Sequence, residues 1–548
     1  MKYSLILWSC LIAISTIAQN TVGVLSFEAD KVSEGYNLIY PNNQPDVFLL
    51  NNCGEIVHKW EDDIEFRPGN IAYLRTDGSL VKCKRHFIAV NDPIWAGGGG
   101  AIVEIRAWDN SLLWSFEQND ETKRLHHDIA PMPNGNILMI SWELKSEEEA
   151  IEAGRDPATL SSNQLWPDYV LEVNPTTDEV VWEWHAWDHL IQDFDPTKAN
   201  YGNVAAHPEL IDINWATENG VADWMHSNSI DYNEELDQIL LSVPTFNEVW
   251  IIDHSTTTEE AAGHSGGQSG KGGDLLYRWG NPAAYRAATS AEQTLFYPHD
   301  IHWIDDPLST DSPYFGQLAV FNNRVDPSFS TVNIFAPPFD PNTNEYTLNG
   351  NQWGPEEFTL TAQHPIPEKL FSTTVSSVQL LPNDNLLICS GRKGYSFELT
   401  PENEVVWEYI TPFDGPNPVI QGDSSTINNL TFRFKRYPSN YMAFEGRDLS
   451  PQGFVEFNPD TTFCDFLLTP IAEQEIPSIH IFPNPAQEIL WIETPALEPF
   501  DLKIRSILGQ LVYHSDSFLS TQITVSDWTR GVYVVYLNGK AVQKLVLQ

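Results

Sequence analysis

Three histidines occupy the same slot of a degenerate internal repeat, and this constrains the fold more than any other feature of the chain. His127 opens HDIAPMPNGNILMIS, His226 opens HSNSIDYNEELDQILLS and His299 opens HDIHWIDD, each six residues before a turn and an apolar strand-like run. The same turn-then-strand pattern recurs at RTDGSLV and LPNDNLLI, whose slot residues are Asn70 and Ser376, and a sixth unit begins near Arg433. Most units add an apolar strand, a polar turn and a strand that ends in tryptophan, as in VEIRAWDNSLLWSF and YVLEVNPTTDEVVWEW. An orphan copy of this second element, VFLLNNCGEIVHKW, sits near the start, and the segment from Arg433 to Phe457 can supply its missing half. A ring closed by strands from both chain ends leaves no free sheet edge. Stacked units also need neighbours to bury their faces, so six unequal units predict a six-bladed β-propeller with long insertions. Inner strands line the channel of such a ring, which would bring His127, His226 and His299 together at one end of it.

The 19 tryptophans and 12% aromatic content fit a well-packed all-β protein. Residues 1–19 read as a secretory signal peptide, and no later run is long enough to span a bilayer. The mature protein is thus expected to be exported and not integral to a membrane. In an oxidising compartment Cys53, Cys83, Cys389 and Cys464 can form disulfides, and Cys53 with Cys83 is the first pairing to test. A net charge of −45 excludes nucleic acid and anionic membranes as partners. It also means that an anionic substrate needs a local cation, for which Arg324, Arg433 and Arg436 are the candidates.

Residues 20–470 form the expected propeller. Residues 474–548 change character, with short alternating strands as in a small Ig-like β-sandwich. FPNPAQEILWI, ILGQLVY, GVYVVYL and the terminal KLVLQ closely resemble the type IX secretion sorting domain of Bacteroidota, which implies the type IX machinery as a partner and a secreted or surface location.

Three imidazoles around one axis can ligate a metal, move protons or attack an electrophile. Asp128 and Asp300 follow two of them, but strand alternation would turn these carboxylates away from the channel. Neither HExxH nor CxxC occurs, so no metal and no cofactor is expected. A neutral imidazole attacking sulfur or phosphorus, a protonated one assisting and the Arg324 guanidinium holding the oxyanion would make a group-transfer site.

DWMHSNSIDY, FYPHDIHW with FNNR, LHHDIAPMPNGNILM and GRKGYSFELTPENEVVWEYI resemble the bacterial arylsulfate sulfotransferases over roughly residues 35–458. This resemblance implies a six-bladed propeller that moves a sulfuryl group from a phenolic sulfate ester to a phenolic acceptor. It implies a sulfohistidine intermediate and no nucleotide sulfate donor. His226 matches the histidine of the family's DWxHxNSI motif, His299 the histidine of a later blade, with Pro298 in place of the usual glutamine, and Arg324 the arginine that closes that blade. The family's further histidine falls on Ser376, while His364 lies in an unlike context. Two readings stay open: the nucleophile is one of the three phased histidines, with His226 and His299 expected around the sulfuryl group, one attacking and one assisting, Arg324 holding its oxygens and His127 as a further proton-transfer or donor group, or the reaction has been lost or changed.

The bland alternatives are structural. His126 and His302 are expected off the channel face, and His58, His185, His189, His254 and His264 in solvent. The terminal tryptophans are expected to pack blade against blade, and GHSGGQSGKGG to be a flexible insertion. The rival functions are a non-catalytic surface propeller that binds glycans or sulfated polymers, and a metal-dependent hydrolase.

Overall fold

The computed structural model describes residues 20–86, 97–215, 221–306, 309–423, 427–463, 480–493, 500–506, 510–518, 520–537 and 540–547. The expected signal peptide lies outside them. Six antiparallel sheets follow one another around a ring, and their inner strands are Thr431–Pro438, Phe66–Leu74, Lys123–Pro131, Ser229–Asn233, Pro298–Trp303 and Ser377–Leu380 for blades 1 to 6. The fold is a six-bladed β-propeller. His480–Phe482 onward forms two further sheets, of three and four strands, closed over a core that includes Leu490, Ile492, Ile504 and Val535.

Ring closure is double. Blade 1 takes its inner strand from Thr431–Pro438, which pairs with Gly35–Pro41, and its outer two strands are the orphan repeat element. Gly23–Phe27 then adds a fifth strand to the outer edge of blade 6, against Val405–Ile410. The strand Gly35–Pro41 is an extra element ahead of the orphan that the repeat pattern did not reveal.

The outer-strand tryptophans hand hydrogen bonds from blade to blade. The indole N–H of Trp60 donates to Ala107 O (3.1 Å), Trp114 to Asp178 Oδ1 (3.2 Å) and Trp182 to Thr256 Oγ1 (3.2 Å). Trp279 donates to Pro355 O (3.0 Å), and Trp407 to Asn52 O (2.8 Å) across the closing seam. Each therefore buries a large apolar ring while its one polar atom is satisfied by the neighbour.

Inside the ring the inner strands are irregular. Those of blades 1, 2, 3 and 5 carry bulges, and Asn70, His127, His226, Asp300 and Ser376 take left-handed backbone angles (φ 87°, 57°, 58°, 55° and 95°). A bulge breaks the two-residue alternation of side chains. This overturns the expectation that Asp128 and Asp300 face away from the channel. Instead both reach Arg433 of blade 1: Arg433 Nη2 lies 2.9 Å from Asp128 Oδ2 and Nε lies 2.6 Å from Asp300 Oδ1. Arg433 also donates to the Tyr73 hydroxyl, which in turn donates to Asp128 Oδ1 (3.0 Å). The amides of Ile230 (3.2 Å) and Val378 (2.8 Å) donate to Asp128 Oδ2 and Asp300 Oδ2 respectively. One group from each of the six blades thus enters a single buried network.

The cysteines correct another expectation. Cys53 is disulfide-bonded, while Cys83 and Cys389 are free and buried, so the bond does not join Cys53 to Cys83. Cys83 points into the packing between blades 2 and 3, among Ile71, Val103 and Met139, whereas Cys53 sits in a hairpin turn of blade 1. The partner of Cys53 lies outside the described residues.

Removing Arg433 would leave two buried carboxylates without a counter-charge. Arg433→Met should therefore lower the free energy of unfolding by about 3–5 kcal/mol, read by urea denaturation; an unchanged midpoint would contradict the axial role.

Candidate active site

One end of the channel holds a cluster of imidazoles. His127, left-handed in the bulge of blade 3, and His226, at the entry to the inner strand of blade 4, lie with ring centroids 4.4 Å apart and an edge-to-face angle of 71°. Asp223, one turn before His226, binds its Nδ1. A carboxylate there fixes the tautomer and supports a positive charge on the ring. His226 keeps 16% of its side chain exposed, and its Nε2 has no hydrogen-bond partner among the described residues.

His127 has a relay of its own. Its Nδ1 stands 2.8 Å from His126 Nδ1, and His126 Nε2 lies 3.4 Å from Asp168 Oδ1. The Asp168 carboxylate favours a proton on His126 Nε2, and with that tautomer His127 donates Nδ1–H to His126 and keeps its Nε2 lone pair open. His126 stacks at 4.0 Å on the buried Trp142 of the neighbouring strand, so it packs between strands as expected while it also backs His127. The glycine run closes over it. A Cβ on Gly98 would fall 2.6 Å from His127 Cε1 and Nδ1, and the Gly99 carbonyl accepts from the His127 amide (2.6 Å).

His299 stands across Phe432 from His127, with ring centroids 6.4 and 6.2 Å from that phenyl. Both of its nitrogens are engaged: Nδ1 donates to Asn323 Oδ1 (2.8 Å) and Nε2 accepts from the Val375 amide (2.9 Å). Arg324 spreads its guanidinium over Tyr297 at 3.6 Å and ties Nε to Thr373 O (2.9 Å). Its Nη groups meet no carboxylate among the described residues, unlike Arg433 and Arg436, which are spent on Asp128, Asp300 and Glu398. Ser376 is buried and accepts from the Gly391 amide (3.0 Å). His364 lies elsewhere, between Tyr395 and Phe397.

These surroundings drive the ring charges apart. Burial, followed by the neighbouring His226, His126 and His299 rings, holds the pKa of His127 well below the ordinary histidine value. Burial also opposes a cation on His226, but the Asp223 carboxylate outweighs it through charge and hydrogen bonding and leaves the pKa raised. His299 is pushed down to about 3, mainly by burial, with His226 and Arg324 adding repulsion. A neutral ring beside a protonated one is the pairing that nucleophile and acid require.

Sequence reasoning missed His126, Asp223, Asp168 and the close approach of Gly98. The one signal for them was adjacency: an HH pair, and an aspartate three residues before a slot histidine.

The profile of a family described as Arylsulfotransferase (ASST) matches residues 111–425, and that of a secretion system C-terminal sorting domain matches residues 480–548. The second marks the chain for export through type IX secretion to the surface or the medium; among the described residues no helix is long and apolar enough to cross a membrane. No curated protein matches. Solved structures similar to the chain include a protein of unknown function from Bacteroides caccae, 13% identical over 74% of this chain and 99% of that one, with a TM-score of 0.40. Others are a putative 6-phosphogluconolactonase from Bacteroides fragilis (12%, 74% and 98%, TM-score 0.34) and virginiamycin B lyase from Staphylococcus aureus (10%, 71% and 88%, TM-score 0.31). At such scores these are loose likenesses of shape.

Asp223→Asn should lower the pKa of His226 by roughly one unit or more, while His299 stays unprotonated at pH 5. Histidine NMR titration reads both, and an unmoved His226 would contradict the pairing.

Proposed function

We propose that this chain, which belongs to the arylsulfotransferase family, moves a sulfuryl group from a phenolic sulfate ester to a phenolic acceptor, with His127 as nucleophile and His226 as proton donor. The observation that carries this reading is the adjacent pair of imidazoles with oppositely shifted pKa values, one backed by His126 and the other by Asp223. No nucleotide sulfate donor is needed.

In the first half-reaction the His127 Nε2 lone pair forms the N–S bond as the S–O(aryl) bond breaks. The leaving phenolate takes the Nε2 proton of His226, which is left neutral with its Nδ1 proton still donated to Asp223. The His127 Nδ1 proton shifts toward His126 Nδ1 as positive charge develops on the ring. The second half-reaction runs in reverse with a new phenol: neutral His226 takes its proton, and the phenolate attacks sulfur and releases His127. Arg324 supplies a fixed cation for the sulfuryl oxygens, which a surface of net charge −45 would otherwise repel. His299, capped at both nitrogens, positions the Asn323 and Val375 side of the site and does not exchange protons. The late-blade slot holds Ser376, so the nucleophile moves to blade 3 on this reading. A non-catalytic binder of sulfated ligands is the rival that Ser376 favours.

Intact-mass and peptide analysis after mixing with an aryl sulfate should find a sulfuryl increment on His127 that phenol removes. His226→Gln should slow transfer by about 10²–10⁴-fold without abolishing the His127 label at long times. Labelling of another residue, or binding without any label, would overturn the assignment. The pH dependence has a defined sign. Because donor attack needs protonated His226, kcat/KM for the aryl sulfate should fall as pH rises through its raised pKa, whereas kcat/KM for the acceptor, which needs neutral His226, should rise over the same interval.

A further inference from the structure

Where the glycine-rich insertion of blade 4 meets the connection leaving blade 3, a second histidine cluster lies unused by the reaction. We propose that His189, His264 and Asp274 form a site for a divalent transition metal, with Zn2+ the best match.

His189 ends the short helical turn Ala186–His189 after the outer strand of blade 3 and is completely buried, not solvated as its sequence context implied. Its Nε2 lies 2.8 Å from Ala261 O, and a carbonyl only accepts, so the ring proton is on Nε2. Nδ1 faces Asp274 Oδ1 at 2.8 Å, a contact that needs a proton between the two atoms, and a metal bound there would take that proton's place. His264 brings its own Nδ1 to 2.7 Å from that same oxygen. All three candidate ligand atoms lie within 4.8 Å of one another, the only such grouping of three among the described residues. Ligand bonds of about 2.0–2.2 Å set tetrahedral donors roughly 3.3–3.6 Å apart, so a cation that replaces the shared protons would have to spread these 2.7 and 2.8 Å contacts by less than about 1 Å. Donation from the second ring nitrogen to a backbone carbonyl is the usual support for a metal-bound imidazole.

Two nitrogens and one carboxylate oxygen suit Zn2+ better than the all-oxygen preferences of Mg2+ or Ca2+. His264 is exposed and Asp274 nearly buried, so a fourth position on the His264 side is open to water. The backbone is shaped around the cluster. A Cβ on Gly273 would lie 2.0 Å from Ala261 O and 2.6 Å from His189 Nε2, and the Gly273 carbonyl accepts from the Trp184 indole (2.7 Å). The segment Gly263 to Gly273 has almost no apolar side chains with which to order itself. A metal that joins His189, from the connection leaving blade 3, to His264 and Asp274 of the blade 4 insertion would hold it in place.

The test uses the full chain after chelator treatment, titrated with Zn2+ against a chromophoric competitor, and with Co2+ to read a tetrahedral absorption band. One Zn2+ should bind per chain at this site. His264→Ala, an exposed position that should fold normally, should weaken it by more than the about 10–100-fold that loss of an outer-shell partner costs. Asp274→Asn should do the same, and His226→Ala should leave it intact. Absence of tight Zn2+ binding by the unaltered chain would overturn the proposal and leave a hydrogen-bonded cluster. So would binding indifferent to His264→Ala and Asp274→Asn, or binding abolished by His226→Ala, which would put the metal in the channel.

Discussion

A single guanidinium holds the ring together at its axis. Arg433 arrives on the strand that closes blade 1 and finds Asp128 of blade 3 and Asp300 of blade 5 across the channel, with Tyr73 of blade 2 alongside. Charges this deep are tolerated only when paired, and here the pairing cannot form until the last inner strand is in place. Closure of the ring and neutralisation of its centre are therefore the same event. The backbone amides of blades 4 and 6 that complete the carboxylates tie the remaining walls to it.

The chemistry is built one residue away from this network. Asp128 follows His127 and Asp300 follows His299, and the bulges that turn the carboxylates toward Arg433 also set the imidazoles at the channel end. Anchoring and reactivity thus share a backbone distortion. His127 and His299 stand on inner strands, and His226 is fixed just ahead of one by Asp223. The two reacting rings are tuned by their immediate surroundings, with His127 enclosed by other rings under the glycine run and His226 beside a carboxylate and partly open.

Much of this was legible from spacing. The repeat phased His127, His226 and His299, named Asn70 and Ser376 as their equivalents, and located the closing strand near Arg433. It also marked the tryptophans as packing residues, and their indoles do bridge the blades. What failed was the assumption of regular pleating. HDIAP and HDIHW contain no glycine, so nothing in them announced a bulge, and Asp128 and Asp300 were turned the wrong way. His126 was rightly placed in the packing between strands, but its contact with His127 was not foreseen. His189 and its partners are brought together by an insertion whose path no periodicity describes, and the partner of Cys53 depends on through-space proximity that spacing does not encode.

In four blades the residue of the repeat slot, within the inner strand or just ahead of it, takes a left-handed conformation, and its occupants are Asn70, His127, His226 and Ser376. The backbone accepts an amide, an imidazole or a hydroxyl there. Such positions act as interchangeable sockets around one mouth. A lineage can then relocate its reactive group from blade to blade by exchanging single side chains, with the scaffold and the direction of approach to the substrate unaltered.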